Sequence, residues 1–317
     1  MTTKAKSNEL KLTRVYDAPV RMVWDAWTDP EQLGQWWGPR GFTITTHSKD
    51  LRPGGHWSYT MHGPDGTDYD NTTHYFEVEE CAKLLYDHGG SADRPPLFRV
   101  TVFFRETEGK TTMDMTMALA TPEAAEEIKK FIKQVGGNAT WDRLAEYLEK
   151  EGSGKDKFVI NRSFEAPRDV VFAMWTEPSH VAQWLPPKGF TMELREADIR
   201  PGGHTFYAMT NGEVTMYGRT DYREIQQPER LVYTQQFCDE HGGMGRHPMA
   251  LVWPETMLTT VEFVEEGPEE TRVTVTWEPY GAATAEEIAV FAKARGGMTL
   301  GWTGSFDKLE EVLGSRT

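Results

Sequence analysis

A stretch near the start of the chain returns 148 residues later without a gap. Arg14 to Met61 aligns onto Arg162 to Met209, and 21 of the 48 positions are identical. The matches include Arg14/Arg162, Ala18-Pro19/Ala166-Pro167, Trp27-Thr28/Trp175-Thr176, Pro30/Pro178, Gln35-Trp36/Gln183-Trp184 and Gly41-Phe42-Thr43/Gly189-Phe190-Thr191. The longest match sets Arg52-Pro53-Gly54-Gly55-His56 against Arg200-Pro201-Gly202-Gly203-His204. The offset becomes 147 near Tyr75/Tyr222, 160 at Gly136-Gly137/Gly296-Gly297 and 165 at Asp142/Asp307. The second copy therefore carries insertions in its later loops and final helix. Solenoid repeats run to about 20–50 residues, so each copy here is a whole domain. The expected bounds are 8–151 and 157–315, joined by the short polar linker Glu151-Gly152-Ser153-Gly154-Lys155-Asp156.

Within one copy, Leu10 to Tyr16 alternates as a strand does. Pro19 and Pro167 stand where proline tolerates a first helical turn. Asp29-Pro30-Glu31-Gln32 reads as an N-cap followed by proline at the first helical position, and Glu177-Pro178 repeats the cue more weakly. Two short helices follow from this. Phe42–Leu51 and His56–Met61 flank the Arg-Pro-Gly-Gly turn, in which proline fixes φ and glycine permits a positive one. Four more strands and one long closing helix complete the copy. The helix carries Ile128, Phe131, Ile132, Val135, Trp141, Leu144 and Leu148, or in the second copy Ile288, Phe291, Leu300, Trp302, Phe306, Leu309 and Leu313. The expected fold class is α+β: two domains, each a curved antiparallel sheet of six or seven strands around that helix. A cavity between sheet and helix is the natural by-product.

Charge excludes one class of partner. With 49 Asp and Glu against 34 Lys and Arg, the net charge is −15. A polyanion would be repelled, because its affinity comes from Lys and Arg contacts to phosphate, so no nucleic acid is expected. Cys81 and Cys238 fall at different places in the two copies, which excludes a duplicated disulfide and is too few for a zinc knuckle. No stretch approaches the roughly 18 apolar residues of a membrane helix, and the N-terminus has no signal-peptide core. A cytoplasmic location is expected by default. No cofactor is expected: there is no phosphate loop, dinucleotide glycine pattern, His-Glu-x-x-His or nucleophile elbow.

The Ala-Pro, Trp-Thr-(Asp/Glu)-Pro, Gln-Trp and Arg-Pro-Gly-Gly elements, at this spacing, resemble the heat-shock-protein ATPase activator homologue family. That family lies within the START-like (SRPBCC), helix-grip superfamily. The resemblance spans nearly the whole chain, twice. It implies a helix-grip fold and, for function, binding of hydrophobic small molecules. It also leaves open a chaperone-cofactor role, or a polyketide cyclase or hydrolase activity.

Candidate ligand-binding residues follow from the repeat. Trp27, Trp36, Trp175 and Trp184 serve either as core packing or as a cavity rim that stacks on a flat ligand. His56 and His204 follow the Gly-Gly turn. They are either turn histidines or groups at the cavity mouth, where imidazole titrates near neutrality, with Tyr59 or Tyr207 as acid–base partners. Asp50–Arg52 and Asp198–Arg200 read as pairs pinning the hairpin. By period-2 alternation, Trp57, Tyr59 and Met61 share a face, matched by Thr205, Tyr207 and Met209. Met113, Met115 and Met117 share another, matched by Val273, Val275 and Trp277. Methionine suits adaptable apolar walls. Phe131, Phe291 and Trp302 on the closing helix and Trp253 in a loop complete the set. Cys238, His241 and His247 lie within ten residues, but a fourth ligand is missing and a metal is not expected there. Their Gly-rich loop, like the His88-Gly89-Gly90 loop, reads as a lid. The changes Trp57 to Thr205, Ser58 to Phe206 and Trp37 to Leu185 suggest that the two copies bind different ligands.

Overall fold

The computed structural model describes residues 7–89, 95–134, 138–153, 157–187, 189–246, 250 and 252–315. The chain divides into two compact units, 1–153 and 154–317.

In the first unit, β1 (Glu9–Tyr16) leads into α1 (Val20–Thr28) and α2 (Pro30–Trp36). Six strands follow: β2 (Thr43–Lys49), β3 (His56–His62), β4 (Asp68–Glu79), β5 (Lys83–His88), β6 (Phe98–Thr107) and β7 (Lys110–Ala118). Two helices close it, α3 (Pro122–Gln134) and α4 (Asn138–Ser153). The sheet is antiparallel throughout, with β1 returning beside β7 in the order β1-β7-β6-β5-β4-β3-β2. The second unit repeats this with β8 (Phe158–Phe164), α5 (Arg168–Thr176), α6 (Pro178–Trp184), β9 (Thr191–Ala197), β10 (His204–Thr210) and β11 (Thr215–Gln226). It ends with β12 (Arg230–Cys238), β13 (Met257–Gly267), β14 (Glu270–Pro279), α7 (Ala285–Lys293) and α8 (Arg295–Gly314). Its order is β8-β14-β13-β12-β11-β10-β9.

The expected long closing helix of the second unit is two helices, and that of the first is described as α3 and α4 on either side of the undescribed residues 135–137. In the second unit the break falls at Ala294, which caps both α7 and α8, so Gly296-Gly297 lies inside the first turns of α8. In the first unit Val135, Gly136 and Gly137 lie outside the described residues, as does the side chain of Phe131. The apolar stripe also breaks. Leu144, Leu148, Phe291, Trp302, Phe306, Leu309 and Leu313 are buried, but Ile288 and Leu300 are exposed.

The short helices are placed by the repeated residues. Asp29 accepts the backbone N–H groups of Glu31 and Gln32, both at 2.9 Å, capping α2. Glu177 makes no such side-chain bond. The Trp36 indole N–H donates to the Ala26 carbonyl at 3.0 Å, and Trp184 repeats this on Met174 at 2.8 Å. Both rings are fully buried and brace the first short helix against the second. The hydroxyls of Thr111 and Thr271 hold the Ala-Pro corners by donating to the carbonyls of Ala18 and Ala166.

A long side chain on each closing helix fastens the loop that leads into the sheet. Arg143 on α4 donates to the carbonyls of Gln35, Trp37, Gly38, Pro39 and Phe42. Lys308 on α8 donates to those of Pro186, Pro187 and Phe190. The two positions correspond at the offset of 165.

Candidate functional site

The Arg-Pro-Gly-Gly turn is where the site begins. Gly54 has φ +81° and Gly202 +80°, values that glycine adopts without steric cost. A Cβ on Gly55 would lie 2.1 Å from the Asp50 carbonyl oxygen, and one on Gly203 2.2 Å from that of Asp198. No side chain fits there. The close approach lets both glycines bond to one tyrosine of the neighbouring strand. Gly54 N–H donates to the Tyr75 carbonyl and Tyr75 N–H donates to that of Gly55; Tyr222 is held in the same way by Gly202 and Gly203. Arg52 pairs with Asp50 and Arg200 with Asp198, both at 2.9 Å, on the exposed side of the hairpin. The turn thus sets the height of Tyr75 or Tyr222 on the inner face of its sheet.

In the first domain, Trp27, Trp37, Trp57, Thr73, Tyr75, Leu84 and Tyr86 line an inward pocket. Trp57 and Tyr59 stack at 3.9 Å between ring centres. The Trp37 indole N–H donates to the Tyr59 hydroxyl at 3.2 Å, and that of Trp57 to the Thr46 hydroxyl at 3.1 Å. Trp141 of α4 stacks on Trp27 at 5.6 Å. The side chains crowd together and leave a cavity of about 10 Å³, the room one water needs. The interior is therefore an aromatic cluster with a small void, narrower than the hollow expected from the fold.

A lysine reaches into this cluster. β2 pairs with β3 through Thr46↔Tyr59, Ser48↔Ser58 and Lys49↔Trp57, with His47 as the extra residue of a bulge. The bulge re-aims the strand, so Lys49 faces inward beside Trp57. Its amino group lies 4.4 Å from the centre of the Trp57 ring and donates to the Tyr75 hydroxyl at 2.8 Å. No carboxylate among the described residues pairs with it. Burial of the ammonium lowers its pKa from 10.5 to about 7; the field of Asp29 opposes this only in part. Lys49 thus stands behind two lining residues, Trp57 and Tyr75; on the pocket wall itself two polar atoms are buried without a hydrogen-bond partner among the described residues, the Trp27 indole N–H and the Thr73 hydroxyl. Buried groups of this kind are rare and call for an explanation. Burial also pushes up the pKa of Tyr59, Tyr75 and Tyr86. His88, on the Tyr86 side of β5 and stacked on Phe98 at 4.9 Å, is held down to about 4 by burial.

The second domain keeps Trp175, Thr220, Tyr222, Leu231 and Tyr233 at the corresponding places but has Ala197, Leu185 and Thr205 for Lys49, Trp37 and Trp57. Tyr207, Tyr222 and Tyr233 are all raised in pKa by burial. Val273, Val275 and Trp277 face the core, and Trp277 packs on Trp302 at 5.7 Å. Trp253 packs on Phe291 at 5.7 Å. Its loop is fastened to α7 by Arg246, which bonds Glu287 at 3.0 Å and Glu255 at 2.7 Å. His241 of that loop is exposed, Cys238 is buried, and His247 lies outside the described residues.

Several sequence-derived candidates fall elsewhere. His56 and His204 lie on the outer face of their sheets. His56 bonds Ser48 at 3.2 Å and His204 bonds Glu196 at 2.8 Å. The alternation that turns Trp57 and Tyr59 inward turns His56 outward. Trp36 and Trp184 are braces between the short helices, with their N–H groups committed to backbone. Met113 and Met115 are buried on the inner face of β7, against β1 and β6. The residues that sequence reasoning missed are Lys49, Thr73, Tyr75, Leu84 and Tyr86; Trp37 enters it only as a change between the copies.

Two curved seven-stranded sheets, each closed by helices on its inner face, define a tandem helix-grip protein. The chain belongs to the family described as activator of Hsp90 ATPase homolog 1-like protein, which matches at residues 17–149 and again at 165–314. Among solved structures, a protein from Nitrosomonas europaea is 25% identical over 48% of this chain and 99% of its own, with a TM-score of 0.42. A protein from Staphylococcus epidermidis is 26% identical over 48% of this chain and 95% of its own, at 0.41. The di-domain ARO/CYC protein BexL of the BE-7585A biosynthetic pathway is 14% identical over 96% of this chain and 97% of its own, at 0.40. No curated protein matches the chain.

Proposed function

We propose that the chain binds an aromatic small molecule inside its first domain, between the rings of Trp27, Trp37 and Trp57. The observation that carries this reading is the pocket wall. It joins flat apolar surfaces to buried polar atoms that no described residue satisfies, Trp27 Nε1 and Thr73 Oγ1. Ligand sites combine these features: a mostly apolar lining and a few polar groups that fix orientation. The cavity is too small for a bicyclic ligand, so binding requires the Trp57 ring to swing aside. An acid–base role for His56 or His204 finds no support, because neither faces the interior.

The test is thermal unfolding of the full chain with 2-naphthamide, a neutral bicyclic probe. A ligand that prefers the native state stabilises it by about 2.7 kcal/mol at a hundred times its Kd. A concentration-dependent rise in Tm that Trp27→Ala abolishes, by removing the ring the ligand packs against, is the expected result. No rise with aromatic probes in the wild-type chain overturns the reading.

A further inference from the structure

We propose that the ligand of the first domain is an acidic aromatic compound, whose anionic oxygen is received by the Lys49 amino group beside the Tyr75 hydroxyl. The inference rests on the aromatic-pocket reading and names its ligand class.

The polar groups of the pocket wall, together with Lys49 beside its Trp57 and Tyr75, are weighted toward donors. The Trp27 N–H can only donate. Lys49 donates to Tyr75, which leaves the tyrosine's own proton free to be given onward. An amine in this place is costly to charge, because no described carboxylate balances it and the rings of Trp57 and Tyr75 surround it. An anion arriving with the ligand supplies the missing countercharge. A neutral ring would leave the amine and the indole N–H unmatched. A cationic one would meet Lys49 as a like charge. The second domain has Ala197 at this position, so the same chemistry is confined to the first.

The groups facing Lys49 or sharing its interior are Tyr59 of β3, Tyr75 of β4, Tyr86 and His88 of β5, and, acting through its field, Asp29 at the cap of α2. The tyrosines are raised and stay neutral; His88, held at about 4, is neutral above pH 5. Lys49 is then the group among them that changes charge near pH 7. Above that pH the free protein loses the charge that an anion needs.

The experiment compares 2-naphthoate with 2-naphthamide, which have the same ring and differ in charge, by titration of the full chain. Wild type is expected to bind the carboxylate more tightly at pH 6.5. The preference should fall roughly ten-fold by pH 9 as Lys49 deprotonates, while 2-naphthamide binding stays constant. Lys49→Met should weaken 2-naphthoate by roughly ten-fold or more and abolish the pH dependence of its binding. Equal binding of both probes with no pH dependence overturns the anion inference and leaves the aromatic-pocket reading standing. Binding of neither probe overturns both. The wild-type pH arm decides the matter even if Lys49→Met fails to fold.

Discussion

At the scale of single residues, two glycines of the first domain behave in opposite ways. Gly55 has no space for a side chain, since its Cβ would meet the Asp50 carbonyl oxygen at 2.1 Å, and that atom is backbone. Gly34 sits in α2 with nothing within 4 Å of its Cβ. Gly55→Ala is expected to cost at least about 2 kcal/mol, and Gly34→Ala to gain about 0.5–1 kcal/mol, both measured by urea denaturation. Lys49 gives a pH signature. Its folded pKa, about 7, lies below the ordinary 10.5. Between these values the unfolded chain binds more protons, so Lys49 makes stability rise with pH through that window. Lys49→Met should remove this slope and raise Tm at pH 6, where the charged amine is buried at a cost. The lysine also shows what the sequence conceals. Counting by twos from Thr46 puts Ser48 inward and Lys49 outward, and the bulge at His47 reverses that assignment. A bulge is one extra residue in a pairing, and pairing is not written in one strand alone. His56 failed in the opposite way. Its place in the longest repeated motif reflects the turn, where only Gly54 and Gly55 have a steric reason to be present.

At the scale of elements, the closing helices do more than cover the sheet. Arg143 gathers the carbonyls of five residues from the end of α2 to the start of β2. Burial lowers its pKa, yet the guanidinium stays charged. Removing it leaves those carbonyls short of a donor. Arg143→Met is expected to cost about 2–4 kcal/mol and to loosen the segment that carries Trp37. Hydrogen exchange of residues 37–42 would show this as faster opening, and unchanged exchange there would contradict the role. The strands, the short helices and the Asp29 cap were legible because their cues are local: alternation, proline, a capping side chain. The break between α7 and α8 was not. Apolar residues recur in the sequence on both sides of it, and Ala294 carries no helix-breaking chemistry. The fastening by Arg143 was equally hidden, because it joins residues about a hundred positions apart, and its counterpart in the second domain is a lysine.

At the scale of the whole molecule, duplication has kept the frame and changed the interior. Each sheet has seven strands in the same order, each turn holds its tyrosine, and each closing helix fastens its loop. The first domain holds Lys49 beside Trp57 and Tyr75. The second replaces Lys49, Trp37 and Trp57 by Ala197, Leu185 and Thr205, and its loop is pinned to α7 through Arg246 and Trp253. Anion-selective binding should therefore occur once per chain. Calorimetric titration with 2-naphthoate should give one equivalent, and two equivalents of equal affinity would contradict the assignment to the first domain. The most direct measurement is a crystal structure of the full chain with 2-naphthoate bound. The expected result is the bicyclic ring against Trp27 in the first domain, Trp57 displaced, and the carboxylate within about 3 Å of Lys49 Nζ. A ligand found only in the second domain or on the outer face of either sheet would contradict it.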